Sequence, residues 1–237
     1  MIRSPAHSRI PFGGKAATLM LALAAASTAA AAQTSANLAL TSDYVWRGST
    51  QSQGDPAVQA GFKATSSRGF YASAWGSSVD FGPAVDAGTE LDFVAGWAGQ
   101  LSPDWALDVS ATRYHYAGSK PDLDWTEAGA TLTWKQNYWL QLGHSGNALA
   151  SGTTGTYGQI GARIPLGDKV RIEAAVGHYW LDQAYADDYT HGQLGIVWAF
   201  HGPCELRLTG HDTDSAAKRL FPDMAGPRLE VALQAAF

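Results

Sequence analysis

RLEVALQAAF, residues 228–237, is the stretch that decides how the rest of the chain is read. Side chains on an extended strand alternate between two faces. Leu229, Val231, Leu233, Ala235 and Phe237 therefore share one face, and Arg228, Glu230, Ala232, Gln234 and Ala236 share the other. Such a strand needs a hydrogen-bonding partner along each edge and an apolar medium against one face. A closed barrel in a membrane supplies both.

Working outward from this segment, period-two runs predict about twelve strands. The first six are Ala36–Arg47, Ala57–Thr65, Phe70–Val79, Thr89–Ala98, Trp105–Tyr116 and Trp125–Lys135. Tyr138–His144, Thr156–Ile164, Val170–Tyr179, Thr190–Phe200, Cys204–His211 and Pro227–Phe237 complete the set. Short connections such as Ser66–Gly69 and Gln136–Asn137 alternate with long ones such as Gly48–Pro56, Asp80–Gly88 and Asp212–Gly226. An even strand number with alternating loop lengths is the pattern of an outer-membrane barrel, with short periplasmic turns and longer outer loops. The fold class expected is thus all-β, an antiparallel transmembrane barrel in which the last strand pairs with the first.

One face of these strands is apolar: Leu91, Phe93, Ala95 and Trp97, or Leu194, Ile196, Trp198 and Phe200. The other carries Glu90, Asp92, Asp108, Glu127, Arg171, Glu173, Arg228 and Glu230. A basic side chain facing lipid at mid-depth costs roughly 2–4 kcal/mol, so the charged face is assigned to the lumen. Small residues at Gly61, Gly96, Gly129, Gly143 and Ala175 share that face and are expected to leave room inside. Aromatic residues cluster at both strand ends, with Trp97, Trp105, Trp134 and Trp198 beside short turns and Tyr116, Trp125, Tyr179, Trp180 and Tyr189 beside long loops. They are read as two interfacial girdles.

Residues 1–32 read as a cleaved signal peptide of a chain exported through the general secretory route, leaving 33–237 as the barrel. Arg3, Arg9 and Lys15 precede the apolar run Ala16–Ala26, which is shorter than the roughly 20 residues of a membrane-spanning helix. Removing those three basic residues takes the formal charge from −5 to −8, which argues against a nucleic-acid partner. A single cysteine, Cys204, excludes an internal disulfide.

Thr41–Gly48 reads TSDYVWRG and is followed by STQSQGDPAVQAGF and RGFYASAWGSSVDF. With TELDFVAGW and GHYWLDQAYADDY, these segments resemble the Gcw-chp family, also described as TorF-family porins, across essentially the whole mature chain. The resemblance implies an outer-membrane β-barrel with channel function and brings no catalytic residues with it.

Within that motif, Asp43 and Arg47 fall on the luminal face near the outer rim. Two roles suit them: part of a charge-filtering constriction, or an ion pair that fastens a loop to the wall. His144, Ser145 and Asn147 look like a lipase site, but adjacent strand residues point to opposite faces. His211, Asp212 and Thr213 give a second weak hydrolase pattern. Asp182, Asp187, Asp188, Asp212, Asp214 and Asp223 make the outer loops acidic without a cation-loop motif, so neither a metal nor a cofactor is expected. Arg113 and His115 continue the lipid side near the outer rim, facing lipopolysaccharide phosphates unless a bulge turns them inward. The function expected is passive or weakly selective diffusion of small solutes, cationic or polar. Its alternatives are a non-conducting structural or adhesion barrel and, less favoured, a lipid-modifying enzyme; the loop Asp212–Gly226 folding inward as a plug would favour the structural one. Partners expected are outer-membrane lipid and lipopolysaccharide, and the barrel-assembly machinery reading Phe237.

Overall fold

The computed structural model describes residues 33–181, 185 and 187–237; the segment 1–32 and Asp182 lie outside them. The first strands are β1 (Gln33–Thr41), β2 (Val45–Trp46), β3 (Ser49–Thr50), β4 (Ala57–Thr65), β5 (Phe70–Ser78), β6 (Thr89–Gln100) and β7 (Trp105–Ala117). After them come β8 (Trp125–Trp134), β9 (Tyr138–Ser145), β10 (Gly155–Pro165), β11 (Val170–Trp180), β12 (Tyr189–His201), β13 (Cys204–Thr213) and β14 (Arg228–Ala236). Twelve of these form a closed antiparallel barrel in sequence order, while β2 and β3 pair only with each other. The ring closes where β14 meets β1, from Asn37 opposite Ala236 to Thr41 opposite Ala232. Reciprocal backbone bonds of Ala36 and Phe237, at 3.0 and 2.8 Å, finish the seam at the short-turn end.

The alternation sorts side chains as the sequence predicts. Leu38, Val58, Phe93, Ile160, Leu194 and Leu229 point outward and are more than half exposed, whereas Glu90, Glu127 and Glu173 are buried inside. Each outward Leu or Ile gains on the order of 1.5–3 kcal/mol when an apolar medium covers it, so the surface is that of a barrel in lipid. Trp105, Trp134 and Tyr138 make a continuous outward belt at the short-turn end, with ring centroids 6.2 and 5.3 Å apart.

Three expectations are corrected. Strand β1 stops at Thr41, and Asp43 to Thr50 belong to a separate hairpin; at Ser42 the ladder ends because the Val231 amide donates to the Ser42 hydroxyl in place of a backbone carbonyl. The second aromatic girdle does not exist as drawn: Trp125, Tyr179 and Tyr189 are 2% exposed or less and face inward, and of the set beside the long loops Trp180 is the member exposed outside. Their parity with Glu127, Glu173 and His191 places them in the lumen, where they bury each other. Three of the inward glycines, finally, do not leave room. A Cβ on Gly61 would meet the Trp75 ring at 3.1 Å, on Gly96 the Tyr71 ring at 2.6 Å, and on Gly143 the Glu127 carboxyl at 2.7 Å. These positions are seats across which large neighbours lie.

The loop after β13 also turns over the mouth. Its short helix α1 (Ser215–Leu220) is capped by Asp214, which accepts from the Ala217 amide at 2.9 Å, and Ala216 and Ala217 pack with Tyr179, Leu181 and Tyr189.

Gly96→Val tests the seating. Overpacking against the Tyr71 ring and the Val109 carbonyl, 2.6 Å from the new Cβ, is expected to cost about 1–3 kcal/mol. The temperature at which the folded, fast-migrating band is lost on a detergent gel should fall by several degrees; an unchanged midpoint refutes the seating.

Candidate functional site

After Thr41 the chain enters the lumen and returns at Ala57 as a tight hairpin. Val45 pairs with Thr50 and Trp46 with Ser49, leaving Arg47–Gly48 as a two-residue turn with φ of 47° and 84°. Two positive φ values mark the turn type that matches strand twist. Gly48 has a second reason to lack a Cβ, since one would lie 2.6 Å from His191 Cβ and 2.7 Å from Thr213 Cγ2 on the facing wall.

At the tip, Arg47 donates through Nη2 to Glu127 Oε1 at 2.6 Å, with the two side chains 6% and 8% exposed. Its guanidinium lies 3.9 Å from the Tyr157 ring centroid, 4.3 Å from Trp46 and 4.8 Å from Tyr179. Tyr189 donates its hydroxyl to the Arg47 carbonyl at 3.0 Å. Trp46 meets Tyr114, Trp125 and Tyr179 edge to face at 6.1 to 6.3 Å.

At the base, Asp43 is 5% exposed. It accepts from Thr50 Oγ1, from Ser52 Oγ at 3.2 Å and from Arg228 Nη1 at 3.2 Å. Tyr44 packs edge to face on Trp75, 5.5 Å between centroids. Glu230, one pleat below Arg228, takes Thr41 Oγ1 at 2.9 Å and faces His211 Nε2 at 2.9 Å. Asp43 and Arg228 thus meet at the seam, whereas Arg47 is carried across to β8.

Nearer the short turns, Arg171 forks onto Glu205 at 2.6 and 2.7 Å and also donates to Glu173 at 2.8 Å. Arg163 reaches the same Glu173 oxygen at 2.9 Å, and Arg207 takes the other. Arg163, Glu205 and Arg207 were not picked out from sequence, although the parity of 157, 159, 161, 163 and of 205, 207, 209, 211 assigns them to the lumen. Asp108 accepts from Tyr71 at 2.7 Å, and the Lys63 ammonium sits 3.5 Å above that ring. Glu90 accepts from Tyr116 at 3.0 Å; among the described residues neither it nor Asp92 has a basic partner. Between hairpin and wall is a polar chamber of about 290 Å³ lined by Arg47, Glu127, Gln141, Gln159 and Gln193. Arg47 Nη1, Glu127 Oε2 and His191 Nδ1, three polar atoms of its lining residues, are buried without protein partners.

The hydrolase patterns do not assemble. His144 faces outward to Thr156 Oγ1 at 2.9 Å, whereas Ser145 donates inward to the Thr126 carbonyl at 2.7 Å. His211 is engaged by Glu230 rather than Thr213. In the loops, Arg219 and the Asp188 amide hold the exposed Asp187 carboxyl below its usual range. Arg113 and His115 face outward and share Asp124 at 3.1 and 2.8 Å. Burial alone would raise that carboxyl, but bonds from His115 and the Tyr116 amide, with Arg113 nearby, outweigh it and hold Asp124 below the usual carboxylate range.

No curated protein matches the chain in sequence. Solved structures share the fold. A structure titled "KdgM porin" superposes with a TM-score of 0.56 over 86% of this chain and 99% of its own, at 6% identity. Another, "NanC porin structure in rhombohedral crystal form", gives 0.54 over the same shares at 9% identity. Residues 25–237 match one family over almost the whole length, and the chain therefore belongs to Gcw_chp, described as a bacterial protein family of unknown function.

Proposed function

We propose that the protein is a porin-like channel of the outer membrane, passing small polar solutes with a weak preference for cations. The observation that carries this reading is a closed barrel, apolar outside, whose lumen is lined by charge and crossed by a hairpin held through side-chain contacts. Short turns face the periplasm and long loops the exterior. Asp43, Arg47, Glu90, Asp92, Asp108, Glu127, Arg171, Glu173, Arg228 and Glu230 line the path, joined by Arg163, Glu205 and Arg207. Phe237, 68% exposed at the end of β14, serves as the signal for barrel assembly. Outer-leaflet lipid covers the apolar wall, and Arg113 meets lipopolysaccharide beside its partner Asp124.

The hairpin sets the conductance in this reading. With Arg47 tied to Glu127 the upper lumen is occupied, and releasing the tip widens it. One observation favours a second reading, a non-conducting structural barrel: the same hairpin is tied to strands on opposite sides of the ring, through Asp43 to Arg228 of β14 and through Arg47 to Glu127 of β8.

Planar-bilayer recording separates the two. Arg47→Ala, which leaves Glu127 buried without its partner, and Gly143→Val, which displaces the Glu127 carboxyl, should each raise mean conductance several-fold over wild type. A bilayer that stays sealed at high load of folded wild type and both variants would sink the channel reading.

Selectivity supplies an independent test. Glu90 and Asp92 are two neighbouring luminal acids that no basic side chain among the described residues pairs with, and each has a carboxyl oxygen without a hydrogen bond. A salt gradient across wild-type protein should give a cation-selective reversal potential, and Glu90→Gln combined with Asp92→Asn should move it toward zero. An unmoved potential removes these two carboxylates from the conduction path.

A further inference from the structure

Above the hairpin the long loops surround a cup of about 270 Å³ that differs from everything below it. The lumen is lined by charge and amide groups, but the cup is lined almost wholly by rings and branched chains. Trp46 and Ser49 of the hairpin form its floor with Trp125, and Phe81, Leu123 and Phe221 from three different loops form its rim. Phe81 stands edge to face on Tyr116 at 5.7 Å, and Phe221 does the same on Tyr189 at 5.7 Å. All three rim residues are only partly buried, so their apolar surface faces the opening.

One polar atom breaks this lining. Ser49 is 5% exposed, and its hydroxyl has no hydrogen-bond partner among the described residues. Gln51, also at the cup, spends its amide on the Ser49 and Thr50 carbonyls at 3.2 Å. A buried hydroxyl without a partner is a standing cost that a ligand's donor or acceptor removes. The volume lies just below the roughly 300–1,000 Å³ usual for drug-sized ligands, which suits a molecule of one or two rings. Flat rings suit aromatic walls set edge to face. A sugar or a charged solute does not suit them, because the lining is mainly ring and branched-chain carbon, with Ser49 Oγ its one fully buried hydroxyl left without a partner among the described residues.

We propose that this cup binds a planar aromatic molecule of one or two rings bearing a single hydrogen-bonding group, with the rings against Trp46 and Phe81 and the polar group at Ser49 Oγ. The site does not depend on the channel reading, since it lies on the outer side of the hairpin and needs no conduction.

Calorimetric titration of the folded full chain in detergent, with matched micelle blanks, tests it. 2-Naphthol is the probe, and naphthalene is the same shape without the hydroxyl. Wild type should bind 2-naphthol saturably at one site, and Phe81→Arg and Leu123→Arg, which bring a charge to the rim, should weaken binding about tenfold or more. Ser49→Ala should weaken 2-naphthol several-fold and leave naphthalene unchanged, so the preference for 2-naphthol disappears. Heats matching the blank, or rim variants that bind like wild type, overturn the proposal. Should the rim variants fail to fold, an equal 2-naphthol preference in wild type and Ser49→Ala overturns it alone.

Discussion

Arg47 is the constraint on which the interior depends. Its guanidinium is charged at every accessible pH and lies among aromatic rings in the lumen, with 6% of the side chain exposed. Burying such an ion costs several kcal/mol even after relaxation. Glu127 at 2.6 Å and the Tyr157, Trp46 and Tyr179 rings are what offset it. The backbone contributes to the cost as well, because Arg47 holds a φ of 47°, a conformation on the order of 1–2 kcal/mol above the right-handed one. A residue placed at such expense has few alternative positions, and the hairpin inherits that fixity.

The wall is shaped to receive it. Gly143 on β9 gives the Glu127 carboxyl its seat, and Gly177 on β11 lies against His191 and the Tyr157 hydroxyl. Gly48 lets the tip come against β12 and β13. At these positions the glycines do not widen the lumen. They let side chains from one strand lie flat over the next, so the upper interior packs like a protein core made of tyrosine, tryptophan and paired charge.

Much of the fold was legible because it rests on a period of two. The luminal parity of Glu90, Glu127, Glu173 and Glu230 follows from that alternation, and the strand order, the even count and the closure of β14 on β1 follow once the alternating short and long connections are added. The hairpin did not, for a local reason: Leu38, Leu40, Tyr44 and Trp46 share one parity, so the breaks at Ser42 and Val45 read as interruptions within a single strand rather than as its end. The signal available was Arg47–Gly48 between Val45–Trp46 and Ser49–Thr50, a dipeptide turn flanked by strand formers. Parity also misled where aromatic residues were concerned. Tyr179 and Trp180 are neighbours, and only the second faces lipid; placing both in a girdle ignored the alternation that had served elsewhere. Of the two roles weighed for Asp43 and Arg47, the geometry bears on the fastening one: each is tied to the wall in an ion pair, Asp43 to Arg228 and Arg47 to Glu127.

Direction in this interior comes from charge and area from rings. The hairpin carries an acid at its base and a base at its tip, and the wall answers with Arg228 on β14 and Glu127 on β8. Those two strands lie six places apart in a ring of twelve, so the hairpin spans a diameter. Reversing or sliding it would set Arg47 toward Arg228 or Asp43 toward Glu127, a like-charge penalty that apolar packing alone does not impose. The same geometry bears on the weakest junction of the barrel. β1 and β14 share five paired positions, against nine between β1 and β4. Asp43 grips β14 just beyond the end of that short ladder, while the other end of its hairpin is anchored on the far wall. The element that occupies the pore is therefore also a cross-brace for the seam, and movement of the hairpin loads the one place where the cylinder is least well zipped.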